Sequence, residues 1–432
     1  MHDMPLITTM AVTFTAAWVL GLITQKLRLS PIVGYLLAGV AIGPYTPGFV
    51  GDAALVPQLA EIGVILLMFG VGLHFHLGDL LAVRTVAVPG AIGQSLVATL
   101  LGVVVAVAFG WSAKAGLVLG MATAVASTVV LIRGLTDNKI LDTTHGHVAV
   151  GWLIVEDIFT VILLVLIPAL GTGAVQDAAP DPGPLWLTLL IALAKLGALV
   201  VLLLLAGSKL IPWVMVQVAR LRSRELFTLT VLVMAIAIAA GSSYVFGASM
   251  ALGAFLAGMV VGQSAVSHQA AADALPLRDA FAVLFFASVG MLFDPTFVVR
   301  EPGLVLAGLG IVMIGKPLAA LVIVAVIGYP LRTGLTVALG LAQIGEFSFI
   351  LSEVSRHHGL MNDAGHNVIV ACAIVSISIN PFLFRVIPSL EAAIKRRPVL
   401  WRLLNRRASR REGQLNAKAV EVIERSDEPL AV

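Results

Sequence analysis

The chain has 432 residues, of which 59% are hydrophobic and 12% charged, with a formal net charge of +3. A soluble domain carries about 25% charged residues, so this composition excludes ordinary soluble enzymes, nucleic-acid binders and disordered proteins. Mean hydropathy is +1.02. Cys372 is the single cysteine, which excludes an intramolecular disulfide and any thiol-rich metal site.

Apolar runs recur from Leu6 to Ile387, near the length of about 20 residues that a helix needs to cross a bilayer. A membrane β-barrel would show alternating segments of about 10 residues instead. The pattern predicts an all-α polytopic membrane protein. Thirteen segments are expected, at 6–24, 31–43, 55–73, 85–109, 113–132, 147–170, 185–207, 225–243, 247–262, 278–293, 302–328, 333–355 and 366–388. No basic leader or cleavage site precedes the first, so it reads as a retained span. Residues 1–390 are the membrane part and 391–432 a basic cytoplasmic tail. Lys395 to Arg411 interleaves basic residues with Val399, Trp401 and Leu404, as an interfacial helix on anionic lipid would. Residues 412–432 read as disordered.

Basic residues set the orientation. Alternate connections hold eleven Lys or Arg: Lys26, Arg28, Arg84, Arg133, Lys139, Lys209, Arg220, Arg222, Arg224, Arg278 and Arg332. The opposite loops hold three, Lys114, Arg300 and Arg356. The expectation is an inner-membrane protein with its N-terminus outside and its C-terminus in the cytoplasm.

Thirteen spans divide into six, a linker span 7, and six. The halves are offset by an odd number of spans, so the second is inverted relative to the first. Inverted repeats are a device of secondary transporters, with the site where broken helices meet near the midplane. Span 5 carries Met121-Ala-Thr-Ala-Val-Ala-Ser-Thr128 and its counterpart, span 12, carries Gly340-Leu-Ala-Gln-Ile-Gly-Glu-Phe-Ser348. Each interrupts an apolar run.

Glu156 and Asp157 in span 6, Lys195 in span 7, Lys316 in span 11 and Glu346 in span 12 are ionisable groups inside spans. Each costs on the order of 2.5–3.5 kcal/mol at a helix centre, so such groups face a bundle interior or an aqueous cavity. A static salt bridge of one acid with Lys316 would leave the other acid of the adjacent pair unpaired. A carboxylate taken partly out of water can bind and release protons near neutral pH. Once deprotonated it is a hard oxygen ligand for an alkali cation. One site that holds either ion in turn exchanges them without ATP. Hydroxyls of Thr123, Ser127 and Thr128 could complete the cation shell, although small residues there also suit helix packing. Lys316 and Glu346, with Gln343 beside them, would compensate opposed half-helix dipoles at the crossing. Lys195 has no evident partner.

Other patterns carry no chemistry. Gly310-Ile-Val-Met-Ile-Gly-Lys316 opens like a P-loop, but Pro317 replaces the required hydroxyl residue and no strand precedes it. The pairs His74/His76, His145/His147 and His357/His358 lie in loops or span ends, without a HExxH pattern. No cofactor, resident metal, enzyme activity, nucleic-acid partner or nucleotide-binding domain is expected.

These residues resemble the monovalent cation:proton antiporter-2 family, close to its Kef-type branch, over about residues 6–388. The matching stretches are Pro31-Ile-Val-Gly-Tyr-Leu-Leu-Ala-Gly-Val-Ala-Ile-Gly-Pro44, Leu59-Ala-Glu-Ile-Gly-Val-Ile-Leu-Leu-Met-Phe69, Val125-Ala-Ser-Thr128, Val155-Glu-Asp-Ile158, Phe285-Phe-Ala-Ser-Val-Gly-Met291 and Gln343-Ile-Gly-Glu346. The resemblance implies an NhaA-like inverted-repeat fold with discontinuous crossing helices. It implies a homodimer whose ion-translocating core (spans 4–6 and 11–13) moves against a dimerisation part (spans 1–3 and 8–10). It implies Asp157 as the essential ion-binding carboxylate and Lys316 as partner of the acid before it, here Glu156. Potassium-efflux members carry Gln-Asp there and electrogenic sodium exchangers Asp-Asp, whereas this chain carries Glu-Asp, leaving potassium and sodium both open. The expected function is monovalent cation:proton antiport. The alternative is a sodium-coupled organic-anion symporter on a related inverted-repeat fold, against which the adjacent Glu-Asp pair argues. An intramembrane aspartyl protease would need a second aspartate in a Gly-Asp context, which the spans lack.

Overall fold

The computed structural model of the chain describes residues 5–51, 55–73, 77–141, 143–170, 194, 197–199, 201–246, 250–399, 401–402 and 404–408. Most of the seventh apolar segment, including Lys195, lies outside the described residues, as do His74, His76 and 409–432.

The first half runs α1 (Pro5–Lys26), α2 (Pro31–Ala41), α3 (Leu55–Leu73), α4 (Leu77–Ala108), α5 (Ala113–Ala124), α6 (Thr128–Asp137) and α7 (Thr144–Leu170). The rest runs α8 (Ser208–Arg220), α9 (Arg224–Phe246), α10 (Met250–Gly262), α11 (Ser267–Met291), α12 (Thr296–Arg300), α13 (Pro302–Gly310), a π-helical turn (Ile311–Gly315), α14 (Lys316–Ile327), α15 (Leu331–Gly340), α16 (Glu346–His357) and α17 (Asp363–Lys395). Among the described residues there is no β-strand. Seven of the helices described are long and apolar enough to cross a membrane, and four shorter apolar ones accompany them.

Local chemistry sets the boundaries. Ser30 accepts a hydrogen bond from Ile32 N and Pro31 follows at the first helical position of α2. Asn362 caps α17 by accepting from Gly365 N at 3.0 Å. Gly328, at φ +92°, closes α14 in the left-handed region. The tenth span was expected from residue 278, yet α11 begins at Ser267. Residues 267–277 include four alanines, which favour helix, but their polar neighbours keep them below a hydropathy threshold.

The helices pack in two sets. In one, α3 lies on α10 and α11, α2 on α1 and α11, and α9 on α10. Glycine sets the approach at two of these crossings. A Cβ on Gly39 or Gly290 would collide with carbonyls of Ala287 or Leu36 across α2 and α11. A Cβ on Gly72 or Gly258 would collide with Phe255 or Phe69 across α3 and α10. In the other set, α4 lies on α5 and α7, α14 on α15 and α4, and α15 and α16 on α7 and α17. Residues 401–402 and 404–408 pack on this second set. There Asn405 Oδ1 accepts from Leu331 N at 3.0 Å and Trp401 joins the cluster around Leu335 and Phe384. Arg397, Arg402 and Arg406 remain exposed.

Candidate ion site at the crossing of two broken helices

α5 stops at Ala124 and α6 starts at Thr128; between them Val125 and Ser127 are extended. α15 stops at Gly340 and helix resumes at Glu346. The two interruptions lie directly against each other. Gly345 N donates to Val125 O at 3.1 Å. Ser127 N donates to Gln343 Oε1, and Gln343 Nε2 donates to Ser127 O, both at 3.0 Å. A Cβ on Gly345 would sit 2.6 Å from the Ala126 carbonyl, so only glycine allows this approach.

Breaking two helices in hydrocarbon frees backbone groups that cost several kcal/mol each if unsatisfied. Buried polar side chains take them up. Gln94 Nε2 donates to Ala124 O at 3.1 Å and is itself held by Trp152 Nε1 at 3.1 Å. Ser348 Oγ donates to Ala122 O, and Asn380 Nδ2 to Leu339 O at 2.9 Å. Ile344 N donates to Ser376 Oγ at 3.3 Å, and Ala126 N to Glu156 Oε2 at 3.1 Å. Gln94, Trp152, Ser376 and Asn380 escaped the sequence reading. A lone Gln or Asn inside an apolar run was the available signal.

The charged groups converge here. Glu156 and Asp157 on α7 are 1% and 6% exposed, Lys316 is 0% and Glu346 5%. Asp157 Oδ2 accepts from Thr128 Oγ1 at 3.2 Å. Glu156 Oε1, Asp157 Oδ1 and Glu346 Oε2 are buried without a hydrogen-bond partner. Lys316 follows the π-helical turn. Pro317 lacks an N–H and its ring opposes the carbonyl four residues back, which the wider turn accommodates. Lys316 Nζ donates to the Gln343 carbonyl at 3.3 Å. It acts on Glu156 through its field rather than by a direct ion pair. Of the three hydroxyls, Thr128 touches the Asp157 carboxylate. Thr123 Oγ1 donates to Leu119 O and Gly120 O at 3.0 Å. Ser127 Oγ caps α6 by accepting from Val130 N at 3.3 Å.

Outside this cluster, His145 and His357 have ordinary partners. His145 Nδ1 lies 2.7 Å from Thr333 Oγ1, and His357 pairs with Glu353 at 3.1 Å. Among the described residues no three His, Cys, Asp or Glu side chains gather as a metal site would require.

Two interrupted helices, crossed at buried carboxylates and one buried lysine, define a secondary ion transporter. The match to the family described as sodium/hydrogen exchanger, transmembrane, runs over residues 10–387, and the chain belongs to that family. It is 51% identical over 383 residues to YbaL of Escherichia coli K12, a candidate cation/proton antiporter, covering 89% of this chain and 68% of that protein. It is 31% identical to K(+) efflux antiporter 4 of Arabidopsis thaliana, covering 90% of this chain and 65% of that protein. The chain thus spans about two thirds of the length of both relatives. The fold matches the sodium proton antiporter MjNhaP1 of Methanocaldococcus jannaschii at TM-score 0.69 and 16% identity, covering 90% of this chain and 99% of that one.

Proposed function

We propose that Asp157 is the ion carrier of this cation:proton antiporter, which exchanges potassium or sodium for protons by alternating access. The observation that carries the reading is a buried carboxylate with one unpartnered oxygen, set where two helices are broken. Thr128 orients it, and the oxygens of Thr123, Ser127 and Glu156 complete the cation's surroundings. Lys316 and Gln343 balance charge and backbone at the crossing, as does Glu346 at the first turn of α16. Bulk proton flux in proteoliposomes under added potassium, sodium or an organic anion tests this. Flux driven by an organic anion, and by neither cation, would replace antiport with symport.

Glu156 shares the buried charge with Lys316. Glu156→Gln is therefore expected to retain exchange with altered voltage dependence. It should also lower thermal stability, because an unpaired buried charge costs roughly 3–5 kcal/mol. Unchanged stability with lost transport would move the carrier role to Glu156.

The division into two packing sets supports a division of labour. The set with α4–α7 and α13–α17 carries the buried charges and moves. The set with α1–α3 and α9–α11 stays fixed and pairs two subunits in an inner-membrane homodimer, with the N-terminus outside, the C-terminus cytoplasmic and the exposed arginines of 397–406 toward anionic lipid. Crosslinks between subunits through α1–α3 or α9–α11 are expected to leave transport intact, and locking α7 to α3 within one subunit to stop it. Subunit-bridging crosslinks through α5 or α16 would reverse the assignment.

A further inference from the structure

The buried charges at the crossing do not balance as one lysine against one cluster. Lys316 acts on Glu156, which also accepts from Ala126 N. Glu346 opens α16, which packs on the α7 helix that carries Asp157, and the two acids lie within each other's electrostatic reach. The cation whose field reaches Glu346 is Arg278 of α11, which is already bonded to Asp279 at 2.7 Å. Asp157 and Glu346 are thus two buried acids on packed helices, and among the described residues neither forms an ion pair with a basic side chain.

Their charge is left without a direct counter-ion. Ser127 and Thr128 are consecutive residues at the first break; the Ser127 hydroxyl lies beside Glu346 and the Thr128 hydroxyl bonds Asp157. Each acid keeps one buried oxygen with no partner, Asp157 Oδ1 and Glu346 Oε2. Orphaned acceptors at this depth are costly unless a ligand satisfies them. Among the described residues no group of three His, Cys, Asp or Glu side chains is arranged to hold a metal ion, which suits a weakly held monovalent ion better than a divalent one.

We infer that Glu346 is a second ligand of the transported alkali cation, which is held between the free oxygens of Asp157 and Glu346. The inference rests on the reading of Asp157 as carrier and adds a second residue to it. Because Glu346 begins α16 and Asp157 sits in α7, the bound cation would tie the two helices together.

The test compares Glu346→Gln and Glu346→Asp with the unaltered protein in proteoliposomes, over a range of potassium and sodium concentrations. Loss of one charged ligand should raise the cation KM by about tenfold or more. The Glu346→Asp change should fall between. In a second readout, added alkali cation should raise the melting temperature of the unaltered protein in detergent and do so far less for Glu346→Gln. A purely structural Glu346 would give lower stability with unchanged KM and an undiminished cation-induced shift, and that result would overturn the proposal. Should Glu346→Gln not assemble, an unchanged KM in Glu346→Asp serves the same purpose. Robust flux in Asp157→Asn would sink the carrier reading itself and is separable from either outcome.

Discussion

Asp157→Asn is expected to abolish cation-driven proton flux, a loss on the order of a hundredfold or more, in a protein that assembles normally. The amide keeps the shape of the carboxylate and can still accept from Thr128 Oγ1, which lies 3.2 Å from Asp157 Oδ2. It cannot carry a proton or present a charged oxygen to a cation. The substitution also removes a buried charge that has no direct ion-pair partner, so thermal stability should hold or rise. Flux in proteoliposomes and a melting curve in detergent check both halves. A variant that still exchanges cations for protons would assign the carrier elsewhere.

Gly345→Val is expected to eliminate transport and to destabilise the fold by more than about 3 kcal/mol, the range reached by severe overpacking. The added Cβ would lie 2.6 Å from the carbonyl carbon and oxygen of Ala126 and 2.8 Å from Ser127 N. All three are backbone atoms, so no side-chain rotation relieves the clash. Separating the two breaks would strip the Gly345–Val125 bond and the Gln343–Ser127 pair together. Gly241→Ala in α9 is the control, since a Cβ there meets nothing within 4 Å; it should leave the melting temperature and the flux unchanged. Equal behaviour of the two variants would mean that the crossing is not rigid.

The membrane fold was legible from the chain because hydrocarbon admits few alternatives. Long apolar runs must be helices there, and charges within them must face inward. Glu156, Asp157, Lys316 and Glu346 stand out by type and depth alone, and small residues between 121 and 128 mark a break. Tertiary structure decided which of these groups meet. Lys316, expected as the partner of Glu156, acts on it through its field and donates a hydrogen bond to the Gln343 carbonyl. The Gln343 side chain, named for compensation, bridges backbone to backbone at Ser127. Gln94 and Asn380 carry no sequence signal of their role because their task is to satisfy carbonyls exposed only once the helices are broken, which no periodicity encodes. Composition and periodicity act within one helix, so they determined the spans, the charges buried in them and the two breaks. Partner choice between α5, α7, α14 and α16 depends on contacts across more than two hundred residues of sequence, as between Ser127 and Gln343, and only the packed structure decides it.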